Sequence, residues 1–283
     1  MPANRSRTAN WRQCLDQLLA RNGALEIAVD GGDEALESGA VHVIWRVRLL
    51  ELSDTEIVVE QPCALGHDLC LERGVPLVAV IAIGQNRWMF RTRNLGACIR
   101  SGPRGDGVRG LRLDAPTSVR RCHRRSHYRV DTASLNLPNV EMWPLLDPKS
   151  VIVAEHANEV SFRDDDAGTT APKELVLPEV GPKIVATLMN LGGGGLGLRV
   201  EPDDRPSLSR HKLFWLRFAL PPEMQTPICA TGKLVHTHID SSQYAYAGMS
   251  FDFSQNPGHQ QFVLEQIVQY LDRQQAASLR CSA

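Results

Sequence analysis

The sequence predicts a mostly β protein built as two small barrel domains, with one helix in front and one at the end. Apolar residues alternate with polar ones, or gather in short runs, from Ala24 onward, which is the pattern of half-buried strands. Glycine, proline and asparagine clusters separate these runs, and the 3.6-residue period of a crossover helix is missing between them. Helical spacing is confined to residues 9–22 and to a segment from about Pro257 to Arg273.

The first helix follows from Trp11, Cys14, Leu15, Leu18 and Leu19, which fall at i, i+3, i+4, i+7 and i+8. Thr8 or Asn10 caps its start and Gly23 stops it. Strands are then expected at residues 41–50, 56–60 and 77–83. A turn at Gly84-Gln-Asn86 leads to a hairpin partner at residues 87–92, and a further strand is expected at 108–113. Pro116 ends this unit. The expected organisation is a helix at 1–23, a β domain at 24–116, a linker at 117–127 and a second β domain at 128–283.

In the second domain Tyr128–Asp131 opens a strand. Residues 145–182 carry four prolines, an Asp164-Asp-Asp166 run and Gly168. They read as a long acidic insertion in which Val151–Ala154 pairs locally. Strands return at 183–190, 198–200, 213–220, 228–238 and 244–253, and the count is about six. Asn256 caps the closing helix, with Pro257 at its first position.

The chain has 283 residues, a formal net charge of −1 and seven cysteines at scattered positions. A sequence pI near 6.8 argues against a surface that binds nucleic acid generally. The odd cysteine count and the polar start, without an apolar leader, lead to the expectation of a reduced, cytoplasmic protein. The longest apolar run, Val75 to Ile83, is far short of the roughly 20 residues that cross a bilayer, so no membrane partner is expected. Cys63, His67 and Cys70 fit no zinc spacing, and the acids, bases and nucleophiles form no catalytic set.

Two stretches carry chemistry. Arg120 to Arg129 holds five arginines, two histidines and no acid. A guanidinium is planar, permanently charged and forked, so it binds phosphate or the O6 and N7 edge of guanine in bidentate fashion. Taken alone, such a run is a solvated basic linker. The second stretch is Asn190-Leu-Gly-Gly-Gly-Gly-Leu-Gly-Leu-Arg-Val200. Its glycines let backbone approach a ligand closely, and their N–H groups suit an anion. It contains Gly-x-Gly-x-x-Gly at Gly192, Gly194 and Gly197, yet a strand follows where a dinucleotide fingerprint needs a helix. Alone it is a glycine-rich hairpin turn. His236-x-His238 places two rings on one side of a strand and reads as an exposed face.

Together the two stretches resemble the PilZ domain, whose pattern is Arg-x-x-x-Arg followed by (Asp/Asn)-x-Ser-x-x-Gly on a six-stranded barrel with a C-terminal helix. Arg125 and Arg129 match the first motif, with Arg124 as the frequent doubled arginine. Asn190, Gly192 and Gly195 align with the second. Val235 and Gly248–Phe251 also look like later strands of that family. Residues 9–115 resemble the N-terminal domain of flagellar-brake proteins. The resemblance implies a receptor for cyclic di-GMP, needing no cofactor and performing no catalysis. Arg124, Arg125 and Arg129 would grip guanine edges and phosphates, Asn190 would bond a guanine edge, and Gly195 would leave room for the ligand. It also implies a change of interdomain orientation on binding, and signalling through a partner protein such as a flagellar motor component or another effector.

Two positions depart from the pattern. Residue 192 is Gly where the family has Ser, and Arg129 and Asn190 lie 61 positions apart, more than the family's usual spacing. A PilZ-fold adaptor that binds no nucleotide is therefore one rival reading. An RNA- or DNA-binding module is another, disfavoured by the near-neutral charge.

Overall fold

The apolar alternation closes into two barrels. The computed structural model describes residues 11–31, 42–83, 86–101, 107–121, 128–130, 133–135, 137–166, 175–192 and 194–281. The chain divides into two compact units. Unit 1 comprises Met1–Cys63, His67–Asn136 and Asp272–Ala283, and unit 2 comprises Ala64–Gly66 and Leu137–Leu271.

Unit 1 begins with helix α1 (Trp11–Ala20), whose Leu15 and Leu18 are buried. Gly23 ends it, with its N–H donating to Leu18 O at 2.7 Å. Strands β1 (Ala24–Val29), β2 (Trp45–Leu52) and β3 (Glu56–Glu60) follow, then a small hairpin of β4 (Cys63–Ala64) and β5 (His67–Asp68). Next come β6 (Pro76–Ile83), β7 (Asn86–Ser101), β8 (Gly107–Asp114) and the two-residue β9 (Arg120–Arg121). The ladder runs β1-β6-β7-β8-β3-β2 and returns to β1, antiparallel throughout. Trp45, Val47 and Leu49 of β2 point inward while Arg46 and Arg48 are exposed, the alternation expected of a barrel wall. The strand expected at 41–50 lies four residues later at its start. Strand β7 is sixteen residues long and continues well past 92.

A separate hairpin, β10 (Tyr128–Val130) with β11 (Ala133–Leu135), pairs with neither barrel among the described residues. The strand start at Tyr128 is thus not the first barrel strand of unit 2. That position belongs to β12 (Asn139–Pro144), six residues that follow Pro138 and end on Pro144, too short to show a period. Its Val140 and Met142 are fully buried.

The expected acidic loop contains a helix. A 3₁₀ turn at Pro148–Ser150, capped by the Asp147 side chain, opens into α2 (Val151–Asp166). Val151 to Ala154 is therefore helical and does not pair as a strand. The helix escapes the sequence pattern because its inner face mixes Val151, Ala154 and Phe162 with Glu155 and Asn158, all under 10% exposed. Asn158 Oδ1 accepts from Cys229 N–H and its Nδ2 donates to Pro227 O, fixing the helix to a strand edge. Trp143, Leu145, Val151, Ala154, Trp215 and Cys229 share the apolar cluster beneath it. The larger aliphatic side chains among them, Leu145 and Val151, each contribute about 1.5–3 kcal/mol when fully buried.

The remaining strands are β13 (Ile184–Gly192), β14 (Gly195–Val200), β15 (Leu213–Leu220), β16 (Met224–Ile239) and β17 (Ala245–Phe251). A short helix α3 (Arg205–Arg210) joins β14 to β15. The ladder β12-β15-β16-β17-β14-β13 returns to β12, a second closed six-stranded barrel. It closes where β14 meets β17, and Gly195 permits the approach: a Cβ there would lie 1.9 Å from Met249 O. Helix α4 (Pro257–Cys281) runs eight residues beyond the expected end at Arg273. Its continuation buries Gln274, Gln275 and Ser278, polar residues that hide a buried face from a hydropathy reading. Among the described residues no helix is long and apolar enough to cross a membrane.

His259 of α4 is fully buried, with Nδ1 2.9 Å from Glu159 Oε1 and Nε2 2.9 Å from Cys229 O. Beside it Glu155 is 1% exposed, and its Oε2 has no hydrogen-bond partner among the described residues. Burial pushes the Glu155 carboxyl above its ordinary 4.5, outweighing the pull of His259 and a hydrogen bond from Asn256. A folded value above the unfolded one means the charged form is penalised, so stability falls as pH rises through the folded value. Glu155→Gln is therefore expected to raise the unit-2 melting temperature by about 2–4 °C at about pH 8, the gain shrinking toward about pH 4. Equal gains at both ends of the titration would contradict this. Gly195→Ala is expected to cost about 1–3 kcal/mol in urea unfolding, whereas Gly192→Ala, with open space around it, stays within about 0.5 kcal/mol of wild type.

Candidate functional site

The β13–β14 hairpin supplies the first part of the site. Ile184, Ala186, Leu188 and Leu191 point into the barrel, and a bulge between Leu188 and Asn190 resets the alternation. Asn190 and Gly192 consequently face outward, opposite Gly197 and Gly195. On β14, Leu196, Leu198 and Val200 are buried, so Gly195, Gly197 and Arg199 face outward with them. On β17, Ala245, Ala247 and Met249 face in, leaving Tyr246, Gly248 and Ser250 outside.

Register then aligns these residues into rows across four strands. The middle row is Asn190, Gly197, Gly248 and His236, paired in that order through β13, β14, β17 and β16. A Cβ on Gly197 would lie 2.8 Å from Asn190 Oδ1, and one on Gly248 would lie 2.1 Å from His236 Cε1. The Asn190 carboxamide and the His236 imidazole therefore lie flat across two strands that carry no side chains here. The result is a level polar surface two strands wide, about 10 Å, edged by a donor–acceptor group on each side.

The flanking rows are charged and hydroxylic. On one side Gly192, Gly195, Ser250 and Lys233 are in register. On the other, Arg199 pairs with Tyr246, which pairs with His238. The Arg199 guanidinium sits 5.0 Å over the Tyr244 ring, a cation–π contact that fixes it. Its Nε is shielded from solvent and has no hydrogen-bond partner among the described residues. Asp252 stands near Lys233, and its carboxyl lies below the usual range, chiefly through the Ser254 hydroxyl and N–H and in smaller part through Lys233. The outer face thus presents cations at two edges of a flat, neutral centre. That suits a ligand with planar rings and anionic links.

Asn190, Gly192 and Gly195 are brought together on one hairpin, as the motif spacing requires. A Cβ on Gly192 would meet nothing within 4 Å, so the missing serine leaves open space above the turn. Arg124 and Arg125 lie outside the described residues. The Arg129 backbone lies in β10, opposite Ser134. Arg120 and Arg121 form β9 and pair with Met89 and Trp88 of β7, so the start of the arginine stretch belongs to the wall of unit 1. Cys63, His67 and Cys70 form no metal site: among the described residues no three His, Cys, Asp or Glu side chains gather to hold an ion.

Gly197, Gly248, His236 and Arg199 were not singled out as site residues by sequence reasoning. The signal for Gly197 was cross-strand pairing: with a two-residue turn after Gly192, it falls directly opposite Asn190. His236 needs the register of two further strands, which no local pattern encodes.

No family model matches the chain, and no curated protein matches it. Among solved structures it is similar to the inhibitor of motility MotI/DgrA of Bacillus subtilis, at 15% sequence identity and a TM-score of 0.30, over 89% of this chain and 96% of that one. It is similar to YcgR of Escherichia coli in complex with c-di-GMP, at 10% identity and a TM-score of 0.31, over 96% and 93%. It is also similar to MrkH of K. pneumonia in its apo state, at 12% identity and a TM-score of 0.29, over 94% and 93%. At these TM-scores the likenesses carry no inference about a ligand for this chain.

Proposed function

We propose that the outer face of β13, β14, β17 and β16 is a receptor site for cyclic di-GMP. The observation that carries this reading is the glycine-floored row from Asn190 to His236, set between Lys233 and Ser250 on one side and Arg199 on the other. A cyclic dinucleotide has two flat bases and two singly charged phosphodiesters. A base lies against the level centre, where the Asn190 amide both donates to and accepts from a guanine edge and the His236 ring offers a stacking face. The phosphodiesters meet Lys233, the Ser250 hydroxyl and the outer nitrogens of the Arg199 guanidinium.

Arg124, Arg125 and Arg129 complete the site in this reading, each forking to a phosphate or to the O6 and N7 edge of guanine. Drawing that arginine stretch onto a ligand is the event that biases the orientation of the two units, a local charge contact acting on a bistable hinge. The output is contact with a partner protein, a motility component being the first to test. The site binds and positions; it performs no chemistry.

Titration calorimetry tests the reading. Wild type is expected to bind cyclic di-GMP, and Arg125→Ala to weaken binding about 10–100-fold, the loss of a charge-assisted hydrogen bond. Gly192→Ser restores a hydroxyl in open space and is expected to tighten binding about fivefold. His236→Ala is expected to weaken it about three- to tenfold. No heat with wild type at high micromolar ligand overturns the receptor reading and favours the nucleotide-free adaptor.

A further inference from the structure

We propose that the outer edge of β16, from Val235 to Ile239, pairs with the same edge of a second copy of this chain to form a twofold dimer. Strand β16 is longer than its neighbour β15. The two pair only from Leu220↔Met224 to Leu213↔Lys233. The Leu234 N–H still reaches Lys212 O at 2.7 Å. Beyond that, β17 covers one edge of β16 as far as Ile239, and among the described residues no strand pairs with the other. All five residues are exposed, Val235 at 65% and Ile239 at 52%.

The free edge is chemically ready to pair. The Asp240 N–H donates to Tyr244 O at 3.0 Å, so Asp240 turns its backbone groups toward β17. Alternate residues of a strand turn theirs to opposite edges, so Thr237 and Ile239 direct N–H and C=O outward from the hairpin. Natural edges are blunted by Lys, Pro or inward-pointing charge. The run Val-His-Thr-His-Ile has none of these.

The order of side chains selects a second copy as the occupant. The run reads nearly the same in both directions about Thr237. An antiparallel pairing centred there sets Thr237 against Thr237, His236 against His238, and Val235 against Ile239 of the other copy. Every apolar residue meets an apolar one, and each histidine meets a histidine of the other copy, which forces no formal charge against its like while both are neutral. The contact is isologous, so it closes at two copies and does not propagate into fibres. A five-residue edge buries less than the roughly 1,600 Å² of a standard interface, which places the dissociation constant at about 1–100 μM. The proposal does not depend on the nucleotide reading.

Sedimentation velocity of the full chain without nucleotide, from about 1 to about 200 μM, tests it. A dimer that grows with concentration is expected. Ile239→Lys, a change at an exposed position that leaves the fold intact, is expected to weaken it at least about tenfold. Under mild oxidation Thr237→Cys is expected to cross-link into a disulfide dimer, because opposed Cα atoms on the dyad lie about 5.5 Å apart. Lys233→Cys, off the dyad, stays at the background set by the seven native cysteines. A monomer across the whole range overturns the proposal. So does a dimer that Ile239→Lys leaves unchanged and that Thr237→Cys does not trap above wild type.

Discussion

A carbonyl that leaves no room for a side chain governs the second barrel. Met249 O sits where a Cβ of residue 195 would be. Because Gly195 has none, β14 lies close along β17 and the ladder closes. Closure fixes register, and register is what sets Asn190, Gly197, Gly248 and His236 in one row. A slip of one residue would turn every one of these groups into the apolar interior. The flat outer face is therefore a by-product of how the barrel shuts, and its precision comes from backbone hydrogen bonds and not from the side chains it displays.

The same logic explains the bulge between Leu188 and Asn190. Up to Leu188 the inward residues of β13 are spaced by two. The extra residue shifts the phase so that Leu191 faces in and Asn190 faces out. Without it the carboxamide would be buried with no partner, at a cost of about 1–3 kcal/mol. Bulges that re-aim one side chain are common in β-sheets, and this one turns the Asn190 carboxamide to the outer face.

Much of the fold was legible in the sequence because barrels write their inside and outside into alternate residues. Helix α1, the strand at Glu56–Glu60 and the start of α4 at Pro257 stand almost where the pattern sets them. Three things were hidden. Helix α2 buries Glu155 and Asn158 among its apolar contacts, so its inner face does not look apolar. The tail of α4 buries two glutamines and a serine for the same reason. Strand β12 is six residues, follows Pro138 directly and ends on Pro144, and leaves no period to read. At the site, the glycine turn was legible because glycine there is a local necessity. His236 and Arg199 were not, since their roles arise from which strands lie side by side.

The end of α4 bears on the order in which the molecule is made. Gln275 accepts the Glu72 N–H at 2.7 Å and donates to Cys70 O, and Ser278 donates to Asp30 O at 2.6 Å, all within unit 1. These partners lie more than two hundred residues apart in the chain. The first unit to leave the ribosome is thus finished by residues made after the whole of the second. Until those last helical turns are made, the Glu72 N–H and the Cys70 and Asp30 carbonyls have only water to bond in place of α4.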